Sequence, residues 1–444
     1  MSQIYRIEKP DLSGINTNEI VSRILKEEDI VKISFKASCP VYLAWSRFKY
    51  LKLSANFSQE ELWALVKFMR KIQSQKSVIK NENGEYFTWL NLPGLEQFFH
   101  EVDLNTGGRL FASAKDIDDK NKFKFISRGI VEEAIASSQL EGAHTTRKLA
   151  KQFLHEGRKP KTEAEHMVLN NYKSMLAIEQ QYKNQEIDLD TIFELHSMIV
   201  KNTIPAGEQR RFRNDNDNIV VSDGEEKFIY FEPPNSDFVK QEIERLVVFA
   251  NDKLGESFLH PVIKAIMLHF WMGYLHPFTN GNGRLARLLF YWYLLKKNYW
   301  AFAYLPISKI IRRSPAQYGN AYIYSEQDDL DLTYFVDYNI RKIKLAIKDF
   351  NIYLQEKSSE NKQMRKIAKT KYQLNDRQVQ LMQYYCNNQD EYTSIKMHMN
   401  IYQISRITAF RDLKELETLG FIVAKQVKRN VYYYGTEKIK ELFK

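Results

Sequence analysis

Two almost continuously apolar runs, His260–Phe278 and Leu285–Trp300, are joined by a turn of a few residues, and this pairing constrains the fold more than any other feature of the chain. Leu285–Trp300 is apolar around most of its circumference as a helix, and a helix of that kind has to be the centre of a bundle rather than part of its surface. The first run delivers His276 to the turn. The junction, HPFTNGNGRLAR at 276–287, then places chemistry at that centre. Gly281 and Gly283 let the backbone turn its N–H groups inward as an anion nest, and the following helix points its positive end at the same spot. Arg284 and Arg287 are three apart, so they share a helix face and can both reach a polyphosphate. His276 stands at the mouth with an ordinary pKa near neutrality, suited to taking a proton from a hydroxyl. The set reads as a nucleotide phosphate site; the plain alternative is a glycine turn opening an amphipathic helix.

The segment resembles the Fic family signature HxFx(D/E)GNGRxxR, whose members mostly transfer AMP from ATP to protein hydroxyls. The resemblance implies that His276 is the base. It also implies that the backbone of Gly281–Gly283 and the Asn282 amide hold the α-phosphate, while Arg284 and Arg287 offset charge on the leaving pyrophosphate. Asn280 departs from the pattern, standing where the family carries an acidic magnesium ligand. An amide oxygen lacks the charge that offsets magnesium desolvation, so ATP itself is expected to hold Mg2+ or Mn2+, with Asn280 as a weak ligand. Upstream, SSQLEG supplies Ser137, Glu141 and Gly142 in the family's inhibitory pattern (S/T)xxxE(G/N). A carboxylate at 141 paired with Arg287 would take the fork that otherwise holds the γ-phosphate. The segment IPAGEQRRFRND is similar to the G-x-x-R turn of Fic domains. The alternating stretch Ile219–Phe231, with a turn at Asp223-Gly224, reads as a hairpin; in the family it is the flap that holds a target by strand addition, with Ile229 and Tyr230 as contacts here. Tyr318 either flanks the adenine or packs.

These readings give a mostly α protein. Residues 1–35 lack sustained periodicity and are expected to form a tail or a strap; 36–120 form an N-terminal extension, with a serine-capped helix from Ser58 and a turn into a short strand near NENGEYFTWL. Residues 121–354 form the Fic core, with the inhibitory helix at 123–142. Residues 355–371, polar and mixed in charge, read as a linker, and 372–444 resemble a winged helix-turn-helix over about 372–436. The chain carries a net charge of +10, and residues 355–444 hold 17 Lys/Arg against 10 Asp/Glu, so much of the basic excess lies in this last module. Arg406, Thr408, Arg411 and Lys414 would face a DNA groove, with Lys425, Lys428 and Arg429 on the wing; a solvated helix face is the alternative.

A chain of 444 residues with 44% hydrophobic content can bury the core of two or three domains. Cys39 and Cys386 lie far apart with no metal spacing and are expected to be reduced, as in a cytoplasmic protein. No apolar leader opens the chain and no run approaches a membrane span, so no membrane partner is expected. His269, two turns before His276, lacks a third ligand and is expected to be a core histidine bonded to backbone. The acidic cluster at 328–331 is expected to be a charged turn before a helix capped near Thr333. The expected partners are ATP, a protein target, DNA through the winged helix, and a second copy of the chain as a homodimer. Two other functions stay open: removal of AMP from modified protein at the same site, and an ATP-sensing DNA-binding regulator with little catalysis.

Overall fold

The computed structural model describes residues 3–27, 30–52, 54, 56–106, 119–222, 227–254, 258–387, 391–427 and 430–441. The chain divides into two units, Met1–His144 with His166–Ala346, and Thr145–Glu165 with Ile347–Lys444. This differs from the expected five segments. The N-terminal extension belongs to the same unit as the core, and the segment around 145–165 belongs with the C-terminal residues.

The first unit opens with β1 (Gln3–Ile4), α1 (Thr17–Glu27), α2 (Ile30–Ser38), α3 (Trp45–Phe48) and α4 (Gln59–Gln73). Residues 17–35 are therefore not a tail. Ile20, Ile24 and Ile33 are buried in one cluster with Phe48, Trp63 and Val66. The first two helices are short, 11 and 9 residues, and span too few turns to register as sustained periodicity. Helix α4 starts as expected, with Ser58 and Glu61 closing a capping box. Strands β2 (Gln75–Lys80) and β3 (Tyr86–Trp89) form an antiparallel hairpin, followed by α5 (Leu95–Thr106) and α6 (Asp119–Leu140). After α7 (Arg147–Glu156) of the second unit come α8 (Glu163–Gln180) and α9 (Leu189–Val200). Next are β4 (Val221–Ser222), β5 (Phe228–Phe231), α10 (Ser236–Ala250), α11 (Pro261–Leu275) and α12 (Asn282–Lys296).

Helices α11 and α12 are the centre of this unit, as their composition requires. Thirteen of the fifteen residues of each are buried, so neither has a solvent face. Lys264, a buried charge on α11, is paired with Asp252 at 2.8 Å. The unit ends with α13 (Ile307–Ile311), α14 (Pro315–Gln327) and the start of α15 (Thr333–Lys371). The acidic turn before α15 is structural: Asp331 accepts the Thr333 N–H at 3.0 Å and the Tyr42 hydroxyl at 2.5 Å, and Asp328 pairs with Lys67 at 3.0 Å. The expected linker, 355–371, is the continuation of α15.

The second unit holds α7, the rest of α15, and α16 (Asp376–Asn387), β6 (Tyr392–Thr393), α17 (Ile395–Tyr402), α18 (Arg406–Thr418), β7 (Ile422–Val427), β8 (Asn430–Gly435) and α19 (Glu437–Glu441). From α16 on, these elements run helix, short strand, two helices and two strands, with a sheet ordered β6-β8-β7. Its core includes Met382, Leu413, Leu416, Phe421 and Tyr433. Buried Asp412 accepts from Arg377 at 2.6 Å and faces His398 at 3.2 Å, tying three helices together. Among the described residues, no helix is long and apolar enough to cross a membrane.

Candidate active site

Helix α11 ends because His276 turns left-handed, with φ at 46°. A positive φ at a residue with a Cβ is uncommon and has to be held by its surroundings. Here the His276 N–H donates to Met272 O at 3.2 Å, and buried Arg213 clamps the turn from outside. Its Nε donates to His276 O at 2.7 Å, its Nη2 to Pro234 O at 2.5 Å and Leu275 O at 3.4 Å, and its backbone N–H to Pro277 O at 2.8 Å. The His276 Nδ1 lies 3.2 Å from Gly273 O. A carbonyl only accepts, so Nδ1 carries the proton and Nε2 presents a lone pair. Burial lowers the His276 pKa, against the Gly273 bond and the Glu141 charge, which favour protonation. The imidazole is thus neutral near pH 7 and competent as a base.

The loop after His276 is pinned from within. Phe278 is fully buried and stacks on His196, with ring centroids 3.7 Å apart. His196 donates from Nε2 to Asn280 O at 2.9 Å, and burial lowers its pKa to about 4. The Asn282 side chain donates to Phe278 O at 2.7 Å and accepts the Phe278 N–H at 3.0 Å. Its amide therefore shapes the loop instead of facing a phosphate, which corrects the role expected for it; the backbone N–H groups remain for an anion. Gly281 has φ at 85°, and a Cβ there would press on Val200. No side chain caps α12 at Gly281, so its first-turn N–H groups are aimed outward as a positive helix end.

That end is already faced by a carboxylate. Helix α6 stops in a Schellman motif: the Gly142 N–H donates to Gln139 O at 3.3 Å, the Ala143 N–H to Ser138 O at 3.0 Å, and Gly142 has φ at 88°. This geometry presents Glu141 to α12. Arg287 Nη2 donates to Glu141 Oε1 at 3.0 Å and to Ser137 O at 3.0 Å, and Nε donates to Ser137 Oγ at 2.8 Å. A Cβ on Gly283 would collide with the same carboxylate, so the Glu141 head lies directly on the first turn of α12. Burial would push the Glu141 carboxyl up, but Arg287, then Arg284, and also His276 hold it below its ordinary value. The Arg287 pKa is raised in turn, so the two partners agree that the pair is ionised.

Arg284 is buried and donates to Ile199 O and to Asn280 Oδ1, both at 3.0 Å, so it also holds the loop against α9. Asn280 in turn uses its amide oxygen for Arg284. That oxygen is neutral and already engaged, and no cluster of three His, Cys, Asp or Glu suited to a metal occurs among the described residues. The residues present do not fit a magnesium ion held by the protein.

Tyr318 packs among aromatic rings and also hydrogen-bonds Tyr322 and Arg287 through its side chain. Its hydroxyl is 2.8 Å from His269 Nε2, and its ring lies among Tyr322, Phe335 and Tyr338. His269 thus bonds a side chain, not backbone. Ile229 and Tyr230 are half-buried on β5; Asp223 and Gly224 lie outside the described residues. On α18, Arg406, Arg411 and Lys414 are exposed, as is Lys425 on β7; Lys414 pairs with Glu417 at 2.8 Å, and the Thr408 N–H is capped by Ser405. Ile407 and Phe410 are exposed on the same helix. Lys428 and Arg429 lie outside the described residues, as does the Cys386 side chain; Cys39 is free.

Three site residues escaped the sequence reading: Arg213, His196 and Glu133. Fully buried Glu133 accepts the Tyr291 hydroxyl at 2.8 Å, the Ser308 N–H at 2.9 Å and the Ser308 hydroxyl, fastening α6 two turns before Glu141. Its signal was a pair of carboxylates inside the apolar run IVEEAIA.

Fold and site together define a class: a helical protein with an anion-seeking helix end, a neutral imidazole beside it and a carboxylate occupying the anion position. Residues 186–294 match the Fic/DOC family model. It is 34% identical over 110 residues to a protein adenylyltransferase Fic of Nematostella vectensis, covering 24% of this chain and 22% of that one. It is 31% identical over 107 residues to protein adenylyltransferase fic-1 of Caenorhabditis elegans, covering 24% and 19%. The chain thus spans about a fifth of the length of these relatives. A solved Fic family protein from Desulfovibrio desulfuricans G20 aligns over 77% of this chain and 95% of its own, at 18% identity and a TM-score of 0.47.

Proposed function

We propose that the chain transfers AMP from ATP to a Tyr, Ser or Thr hydroxyl of a protein, and that it rests in a state inhibited by Glu141. The acceptor oxygen bonds to the α-phosphorus as its proton passes to Nε2 of His276, and the bond from that phosphorus to pyrophosphate breaks. The first-turn N–H groups of α12 stabilise charge on the α-phosphate. Arg287, once released from Glu141, offsets charge on the leaving pyrophosphate.

The observation that carries this reading is the position of the Glu141 carboxylate, which lies on Arg287 and above Gly283. It fills with negative charge the place that a guanidinium and a helix N-terminus together offer to a polyphosphate. The relatives named protein adenylyltransferase support the same chemistry at the level of the family. The test is label transfer from α-labelled ATP to protein: Glu141→Gly should label and the wild type should label little. Equal labelling of the two, both folded, would remove the inhibitory role.

The second unit is assigned to partner binding, through the exposed Arg406, Arg411 and Lys425. DNA binding that falls steeply with salt, and more gently after Arg411→Ala, is the expected result. Binding unaffected by that change would reject the assignment.

A further inference from the structure

Strand β5 is paired on both edges. Antiparallel β4 takes one, with Val221 opposite Phe231 and Ser222 opposite Ile229. Parallel β1 takes the other, with Gln3 opposite Phe228 and Ile4 opposite Ile229. The pairing is made through main-chain donors of the early segment: the Gln3 N–H donates to Lys227 O at 2.9 Å and the Tyr5 N–H to Ile229 O at 2.8 Å. The Tyr5 ring stands edge-on to Tyr230, 5.4 Å between centroids, and to Phe228 at 6.3 Å. Gln327, the last residue of α14, holds the segment from the other side, donating to Tyr5 O at 3.0 Å and accepting the Ile7 N–H at 2.9 Å. Glu8 is tied to Lys49 at 2.6 Å. Ile4 and Phe228 remain exposed, so little apolar burial secures the strand, and it is removable.

We propose that Gln3–Tyr5 fills in cis the edge of β5 at which an extended acceptor segment docks, so that the acceptor has to displace the chain's own strand. Strand addition draws affinity from main-chain hydrogen bonds, and this edge offers the Lys227 and Ile229 carbonyls to whichever segment lies along it. The Tyr5 ring marks what else the edge selects: an extended segment with an aromatic side chain placed against Phe228 and Tyr230. Tethering gives the cis strand an effective concentration on the order of millimolar, so a free peptide meets a filled edge. The use of this edge by an acceptor rests on the AMP-transfer reading; its occupation by residues 3–5 does not.

The test uses a fluorescein-labelled peptide of residues 3–8, QIYRIE, and the full chain carrying Gln3→Pro and Tyr5→Pro, which lack the two N–H donors. Fluorescence anisotropy should show the peptide binding this variant at least about 10-fold more tightly than the wild type, because the competing strand is gone. Tyr230→Ala added to that variant should weaken the binding. Equal affinity for variant and wild type, or binding to neither, overturns the proposal. If the proline variant fails to fold, Gln327→Ala weakens the cis strand from outside it, and the same comparison decides. None of these readings needs nucleotide chemistry. Tight peptide binding by a chain that never transfers label would leave the cis strand standing and defeat the AMP-transfer reading alone.

Discussion

Replacing Arg213 with methionine should loosen the base without touching it. Methionine keeps much of the buried side-chain volume and removes the guanidinium donors to His276 O, Pro234 O and Leu275 O. The first two are short; a hydrogen bond from a charged group contributes about 1.5–3 kcal/mol. With Leu275 at 3.4 Å counted as weak, the loss should be about 3 kcal/mol, enough to lower the melting temperature of the first unit by about 4 °C at its size. The left-handed turn at His276 then loses its outside support. A misplacement of the imidazole near 1 Å costs about 100-fold in rate. In a Glu141→Gly background, Arg213→Met should therefore lower kcat for label transfer by about that factor and leave the KM for ATP unchanged. Arg213→Lys should recover part of the stability and little of the rate, since an ammonium cannot reach the separated carbonyls as a planar fork does. A variant melting with the wild type and turning over as fast would refute the reasoning.

Other consequences follow from the same contacts. Glu141→Gln leaves buried Arg287 without its counter-charge and should cost about 3 kcal/mol, and millimolar ATP should raise its melting temperature more than that of the wild type. His196 has its pKa lowered from 6.5 to about 4, so the unfolded chain binds the extra proton first: the stability is complete above about pH 6.5 and is lost as pH falls toward 4. By linkage the loss approaches about 3 kcal/mol; His260, His269 and His276 also have lowered pKa values, so between pH 7.5 and 4.5 urea unfolding should show His196→Gln losing less stability than the wild type, by up to about that amount. A Cβ at Gly129 would lie within 2.8 Å of the Tyr304 backbone, so Gly129→Ala should push α6 outward and destabilise by about 1–3 kcal/mol in the same assay.

What the sequence made legible was local. His276, Gly281, Gly283 and Arg287 sit within one short stretch, and the two apolar runs around it announce a buried helical hairpin before any packing is known. Glu141 was legible through a short pattern at a helix end. Arg213, His196 and Glu133 act across 63, 84 and 175 residues of chain, and no local period records such contacts. The bonds that Asn280, Asn282 and Arg284 make within the loop were missed for a related reason: polar side chains in a tight turn first satisfy the turn's own backbone and neighbours. Helices α1 and α2 were missed because they are only 11 and 9 residues long: their apolar residues bury well in the cluster with Trp63 yet span too few turns to show a period.

The most direct test of the central claim is transfer of label from α-labelled ATP to protein by three full-length chains: wild type, Glu141→Gly, and Glu141→Gly with His276→Ala. Strong label only in the single variant is the expected result, with removal of the carboxylate freeing the site and loss of the imidazole silencing it. Absence of label in all three, with ATP binding shown separately, or undiminished label after His276→Ala, would contradict it.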